Sequence, residues 1–294
     1  MKAAALLHPD VKDQSVLPFQ EICPELRVCA DLTRADDVAA AIIFGGDGTI
    51  HRYLPDLHRY KIPTLVVPCG SGNDFARVVG IRDPGIALDA WKHFCHAANN
   101  VRALDLGVIR SNGEEILFCC VAGVGLDSQS NALANRMPAW LRGRGGYVLA
   151  TLWSLASGEA KEITVNDQGT KRVGRAWLVA VANASHYGGG LKIAPQALLD
   201  DGLLDVCRVA KMSKIKLLCA LPSVFSGAHL RLKEVDYFKT ARLKVESERE
   251  LEIFADGEFA CRTPAEFSLL PQAIHVIVPA SLSTRDHMIL KRFP

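Results

Sequence analysis

The first hundred residues alternate short apolar runs with polar segments of helical spacing. Ala3–Leu7, Leu26–Ala30, Ala40–Phe44 and Thr64–Val67 read as strands, three of them closed by Gly, Pro or Asp turn residues. Asn73–Val79 opens with two capping candidates, Asn73 and Asp74. Pro84–Ala98 sets Ile86, Leu88, Trp91 and Phe94 as core contacts of a further helix. Strands that end in glycine-rich turns and lead into helices predict an open α/β sheet, whose ligands bind at the strands' carboxyl ends.

After about Leu106 the pattern changes. Ile116–Val121, Ala160–Val165, Ala176–Ala182, Leu203–Val209, Ala241–Val245, Leu251–Phe254 and Ala273–Val278 read as β. Helical stretches cover 131–157 and Ser213–Ser226. The expected organisation is an α/β domain over 1–106 and a mainly antiparallel domain over 107–280, with the tail 281–294 packing back on the first.

Composition narrows the class. A chain of 294 residues suits two modest domains, and 49% apolar with 22% charged residues excludes disorder. The 34 Lys and Arg nearly balance the 32 Asp and Glu, leaving +2, which argues against a nucleic-acid partner. Nine cysteines without a C-x-x-C pair suit reduced thiols and a cytoplasmic setting. The longest nearly apolar stretch, Ile116 to Leu126, falls short of the ~18 residues a membrane span needs. Membrane contact is therefore expected to be peripheral, at the inner face, with Arg136–Arg144 and Trp140 as a docking candidate; a homodimer is compatible with the sequence.

The most informative run is Ala41-Ile42-Ile43-Phe44-Gly45-Gly46-Asp47-Gly48-Thr49, an apolar strand entering a three-glycine turn and then a helix near Thr49. Glycine leaves no Cβ to keep phosphate oxygens from backbone N–H groups, and the helix N-terminus adds its positive dipole end. Asp47 would repel phosphate, so it suits a Mg²⁺, a metal-bound water or a hydroxyl. No glycine in the chain precedes lysine, which excludes a Walker A loop. Leu65-Val66-Val67-Pro68-Cys69-Gly70-Ser71-Gly72-Asn73-Asp74 repeats the logic. Gly70, Ser71 and Asn73 offer hydrogen bonds to a nucleotide, and Asp74 could orient metal or substrate. Simple helix capping is the competing reading for Asn73 and Asp74.

FGGDGT at 44–49 and PCGSGNDFAR at 68–77 resemble the paired signatures of the diacylglycerol kinase catalytic-domain family, especially its soluble bacterial lipid kinases. Ala182-Asn183, Tyr187–Gly190, Ala194–Ala197, the run Asp200-Asp201-Gly202-Leu203-Leu204-Asp205 and Asp256-Gly257-Glu258 resemble the family's later motifs, in the right order. His8-Pro9 and His51-Arg52 depart from its usual Asn-Pro and Asn-Glu. The resemblance implies a Rossmann-like α/β domain of the NAD kinase and phosphofructokinase kind, followed by a β-sandwich domain that supplies the acceptor site. It implies ATP contacts at Gly46, Asp47, Gly48, Thr49 and Ser71, to which the reading of the two loops adds Gly45, Gly70 and Asn73. Glu258 would be the catalytic base, with Asp47 in the catalytic network. Asp201 and the carbonyls of Leu198 and Leu203 would hold a structural Mg²⁺, linked through water to Asp105 and Asp47. The implied reaction is transfer of the γ-phosphoryl group of ATP to a diacylglycerol-like alcohol. A kinase for a soluble acceptor such as NAD or a sugar, and a non-catalytic nucleotide or lipid sensor, stand as alternatives.

Overall fold

The computed structural model describes residues 1–32, 38–126, 128, 130, 133, 153–155 and 157–283. The docking candidate Arg136–Arg144 lies outside them, as does most of the helical stretch expected over 131–157. The chain divides into two compact units, Met1–Asp105 together with residues 271–283, and Leu106–Leu270; residues 284–294 of the tail expected to pack back on the first unit lie outside the described residues.

The first unit is built on a parallel sheet. β1 (Ala3–Leu7) lies between β2 (Leu26–Cys29) and β3 (Ala40–Gly45), and β3 pairs with β4 (Thr64–Pro68). Every residue of β3 is buried, the continuous apolar run expected of a strand covered on both faces. The helices are α1 (Leu17–Ile22), α2 (Asp47–Tyr60), α3 (Asp74–Val78) and α4 (Pro84–Ala97). Helix α4 is specified at both ends: the Asp83 carboxylate accepts the Ile86 N–H, Pro84 opens the first turn, and Ala98 closes it with φ of 49°. Trp91, fully buried, ties α4 to α1 by donating its indole N–H to the Phe19 carbonyl.

The second unit is an antiparallel sandwich. One sheet runs β12 (Val235–Thr240), β11 (Leu204–Ala210), β10 (Arg175–Ala182), β7 (Val121–Gly125), β14 (Glu252–Ala255), β15 (Glu258–Arg262). The other runs β9 (Thr170–Arg172), β8 (Lys161–Asp167), β13 (Arg242–Ser247), β16 (Ala265–Ile277). A further hairpin joins β5 (Val101–Ser111) to β6 (Glu114–Phe118). Phe118, Val124, Ile163, Val181, Val245 and Phe267 share one core, all fully or almost fully buried. Helix α5 (Lys214–Ser226) is capped by Ser213, whose hydroxyl accepts the Lys216 N–H. Among the described residues no helix is long and apolar enough to cross a membrane, and all nine cysteines are free thiols.

Several elements differ from the sequence expectation. Strands β5, β9, β12 and β15 were not expected, since their polar residues hide the alternation. The single strand expected over Ile116–Val121 is two, β6 and β7, broken at Cys119-Cys120. β16 begins at Ala265, eight residues before the expected Ala273.

The first unit is closed by residues far along the chain. The end of β16 pairs with β4 through Val276 and Thr64, and buried Asn100 donates to the carbonyls of Ala90 (3.0 Å) and Val278 (2.7 Å). Leu282, in the short helix α6 (Ala280–Ser283), lies against Gly80. Replacing Asn100 with Ala leaves two carbonyls without that donor, so stability should fall by roughly 2 kcal/mol in urea titrations.

Candidate functional site

The two glycine bends of the first unit touch backbone to backbone. A Cβ placed on Gly70 would stand 2.5 Å from the Gly46 Cα, and one on Gly46 would stand 2.9 Å from the Gly70 Cα. The Cys69 N–H donates to the Gly45 carbonyl at 3.0 Å, so the register of β3 and β4 runs on into the loops. A Cβ on Gly45 would collide with the Thr49 side chain. Helix α2 begins at Asp47, two residues earlier than expected, with Gly46 as its cap and no side chain capping it. The helix N-terminus thus opens directly out of the glycine bend.

Asp47 and Asn73 hold this arrangement from within. The Asp47 carboxylate accepts the N–H groups of Asp74 and Phe75, both at 3.0 Å, so an acid of the first loop caps the helix of the second. Asn73 adopts the left-handed conformation (φ 55°, ψ 41°) and pairs with Gly70 both ways: Oδ1 accepts its N–H, and Nδ2 donates to its carbonyl. It is therefore a brace across its own loop and gives α3 no side-chain cap. Asp74 is buried, and its Oδ1 meets the Arg77 guanidinium at 2.5 Å; Arg77 also donates to the Gly72 carbonyl. Ser71 is exposed at the tip of the loop. Asp105, also buried, accepts the Gln272 N–H at 2.8 Å.

In the second unit, Glu258 is exposed at the start of β15, directly after a turn with two positive φ values, Asp256 (52°) and Gly257 (90°). Asp256 is the anchor that the sequence reading overlooked. Its Oδ2 accepts the Cys119 N–H at 2.9 Å, and its Oδ1 accepts those of Cys120 (2.8 Å) and Val121 (3.3 Å). The break between β6 and β7 presents these three N–H groups. Asn183 supports the same bend by donating to the Cys119 carbonyl. The visible signal is the Asp-Gly dipeptide, which reads as an ordinary hairpin turn.

Asp201, the side chain expected to hold metal, lies in an ionic cluster. Asp201 Oδ1 accepts the Leu203 N–H at 3.1 Å, while Oδ2 meets Lys239 Nζ at 2.7 Å. Lys239 also lies 3.3 Å from both the Asp205 carboxylate and the Gln196 carbonyl. Burial pushes the Asp205 carboxyl above its ordinary range, and Tyr237 donates a short hydrogen bond to it. Burial works against the charge of Lys239, yet the two carboxylates hold its ammonium above the usual range. No motif spacing flagged this lysine. Two carboxylates against one ammonium leave negative charge uncompensated, and Asp205 Oδ2 has no hydrogen-bond donor beyond its ion pair with Lys239. With hard oxygens around it, the cluster fits a divalent cation beside the lysine.

The fold combines an α/β domain with an antiparallel β-sandwich-like domain. Residues 3–109 match the diacylglycerol kinase catalytic domain, and residues 120–278 match the YegS C-terminal NAD kinase beta sandwich-like domain. A diacylglycerol kinase of Mycobacterium tuberculosis is 37% identical over 82% of this chain and 77% of its own length. One from Bacillus subtilis is 31% identical over 85% and 80%. The chain belongs to the diacylglycerol kinase catalytic-domain family. Among solved structures, a diacylglycerol kinase from Bacillus anthracis superimposes with a TM-score of 0.68 at 20% identity, covering 95% of this chain and 97% of that one. An NAD kinase from Archaeoglobus fulgidus in complex with ATP gives 0.57 at 13% identity, covering 96% and 95%. These two establish the fold.

Two consequences are measurable. Gly70→Ala forces the bends apart, so the variant should melt at least several degrees below the parent while keeping its far-ultraviolet circular dichroism. Lys239→Met exposes Asp201 and Asp205 to each other, with an expected loss of roughly 2 kcal/mol. Added Mg²⁺ should restore more stability to that variant than to the chelator-treated parent, as read by thermal melting.

Proposed function

We propose that the protein is an ATP-dependent lipid kinase that transfers the γ-phosphoryl group to a hydroxyl of a diacylglycerol-like lipid. The observation that carries this reading is the close approach of the Gly46 and Gly70 backbones. It aligns two glycine bends at the carboxyl ends of adjacent strands, beside the N-terminus of a fourteen-residue helix. Bare backbone and a helix dipole are what phosphate oxygens need. Gly45, Gly46, Gly48, Thr49, Gly70 and Ser71 serve the nucleotide. Asp47 and Asn73 serve it indirectly, by keeping the two bends in register.

Phosphoryl transfer needs in-line placement and charge neutralisation more than covalent help. Glu258 takes the proton from the acceptor hydroxyl as its oxygen bonds to the γ-phosphorus, and the bond from that phosphorus to the ADP oxygen breaks. An exposed carboxylate suits this role because its position is fixed two residues away: the three N–H bonds to Asp256 locate the turn that presents it. Mg²⁺ bound with ATP supplies charge neutralisation on the phosphates. A second Mg²⁺ would be held by Asp201 with the carbonyls of Leu198 and Leu203, where it would steady the loop.

The test is a panel of acceptors incubated with γ-labelled ATP, with lipids in mixed micelles. Label should enter diacylglycerol-like lipids; label only in NAD, sugars or other soluble alcohols would overturn the reading. In the same assay Glu258→Gln should lower kcat by about 10²-fold or more, the usual scale for removing a general base, at unchanged melting temperature. Parent-like turnover in that variant would remove Glu258 from the mechanism.

A further inference from the structure

In an extended strand, neighbouring side chains point to opposite faces. Cys119 and Cys120 do not: the chain bends between β6 and β7, and both thiols are buried with their sulfurs 3.9 Å apart. The bend is held from several sides. Asp256 takes the N–H groups of Cys119, Cys120 and Val121, and the Asn183 side chain donates to the Cys119 carbonyl. The N–H groups of Asn183 and Ala184 donate to the Cys120 carbonyl at 2.8 and 3.0 Å. The N–H and the carbonyl of each cysteine are thus engaged, which fixes the backbone from which the two sulfurs project.

A carboxylate oxygen stands beside them. Cys119 Sγ lies 3.5 Å from Asp256 Oδ2, and the ligand atoms of the three side chains all lie within 4.8 Å of one another. A tetrahedral zinc ion, with Zn–S near 2.3 Å and Zn–O near 2.0 Å, sets two sulfurs about 3.8 Å apart and a sulfur about 3.5 Å from an oxygen. The observed 3.9 and 3.5 Å match both spacings. The third pair, Cys120 Sγ and the carboxylate, has side-chain rotation to close what remains.

Chemistry narrows the occupant. The Cα atoms of adjacent residues stand about 3.8 Å apart, short of the roughly 4.4 Å at which ordinary disulfides begin, so the pair is poorly placed for a disulfide. Two thiolates favour a soft or borderline ion over Mg²⁺, which prefers oxygen ligands. That distinguishes this site from the oxygen cluster at Asp201. The N–H groups on Asp256 are outer hydrogen bonds of the kind that orient a metal-binding carboxylate. Asp256 is only partly buried, which gives an ion a way in.

We infer that Cys119, Cys120 and Asp256 form a binding site for a thiophilic divalent cation, with Zn²⁺ the best fit. Each ion bound releases the two thiol protons and joins both sulfurs and the carboxylate to one centre. Because Asp256 opens the turn ahead of Glu258, occupancy ties that hairpin tip to the bend between β6 and β7. The inference is independent of the lipid-kinase reading.

The probe is Co²⁺, added to the full chain after reduction and chelator treatment. One equivalent should produce a sulfur-to-cobalt charge-transfer band in the near ultraviolet, and equimolar Zn²⁺ should abolish it. Cys119→Ser and Cys120→Ser should each weaken Co²⁺ binding by about tenfold or more. Cys69→Ser and Cys219→Ser, which change exposed thiols, should bind as the parent does. X-ray absorption of the zinc-loaded parent, which needs no variant to fold, should show sulfur at about 2.3 Å and oxygen at about 2.0 Å. A zinc shell of oxygen and nitrogen alone would overturn the assignment. So would a charge-transfer band at full strength in both Cys119→Ser and Cys120→Ser, a band lost only with Cys69 or Cys219, or displacement of Co²⁺ by an equal concentration of Mg²⁺.

Discussion

Two backbones touching without side chains between them is the constraint from which the rest of the first unit follows. With Gly46 against Gly70, the ends of β3 and β4 can continue their parallel register past the last strand residue, and the helix after each bend starts close to the other. The touching backbones have no side chain of their own to make the pairing specific. Specificity comes from Asp47, which bonds across the gap to two N–H groups, and from Asn73, which braces the second bend through the N–H and carbonyl of Gly70. An acid inside a glycine turn proposed to receive phosphate looks misplaced from electrostatics alone. As a cap for the neighbouring helix it has a geometric reason to be there, and its charge is already met by two donors before any ligand arrives.

The second unit applies the same device to a different end. A single carboxylate, Asp256, collects three consecutive N–H groups, at the cost of interrupting what would have been one long strand. The interruption fixes a hairpin tip, and Glu258 is carried on it. In both units an acid conspicuous in the sequence motif serves as scaffolding, and in the second unit the exposed Glu258 follows two residues later.

Much of this was legible in advance. The apolar runs of β1, β3 and β4 and the helix α4, with Asp83 and Pro84 at its start, were readable because buried parallel strands and capped helices leave strong patterns. The family, too, was legible from the spacing of its motifs, and both matched domains agree with it. What escaped were strands such as Val235–Thr240, whose alternation is masked by Asp236 and Lys239, and the functions of side chains that bond over long sequence distances. Asp256 reaches back 137 residues to Cys119, and Lys239 reaches 38 to Asp201. No local rule of propensity, capping or turn chemistry carries such information; it exists only once the strands have been ordered.

The return of the chain to the first unit bears on biosynthesis. Asp105 takes its bond from Gln272, Asn100 gives one to Val278, and β4 gains its outer neighbour only from the end of β16. On a ribosome that delivers residues in order, the sheet of the first unit waits with one flank open until residues 272–278 have been made. The sandwich, whose strands lie between, can be complete before it. The half of the protein that is translated first is therefore the one finished last.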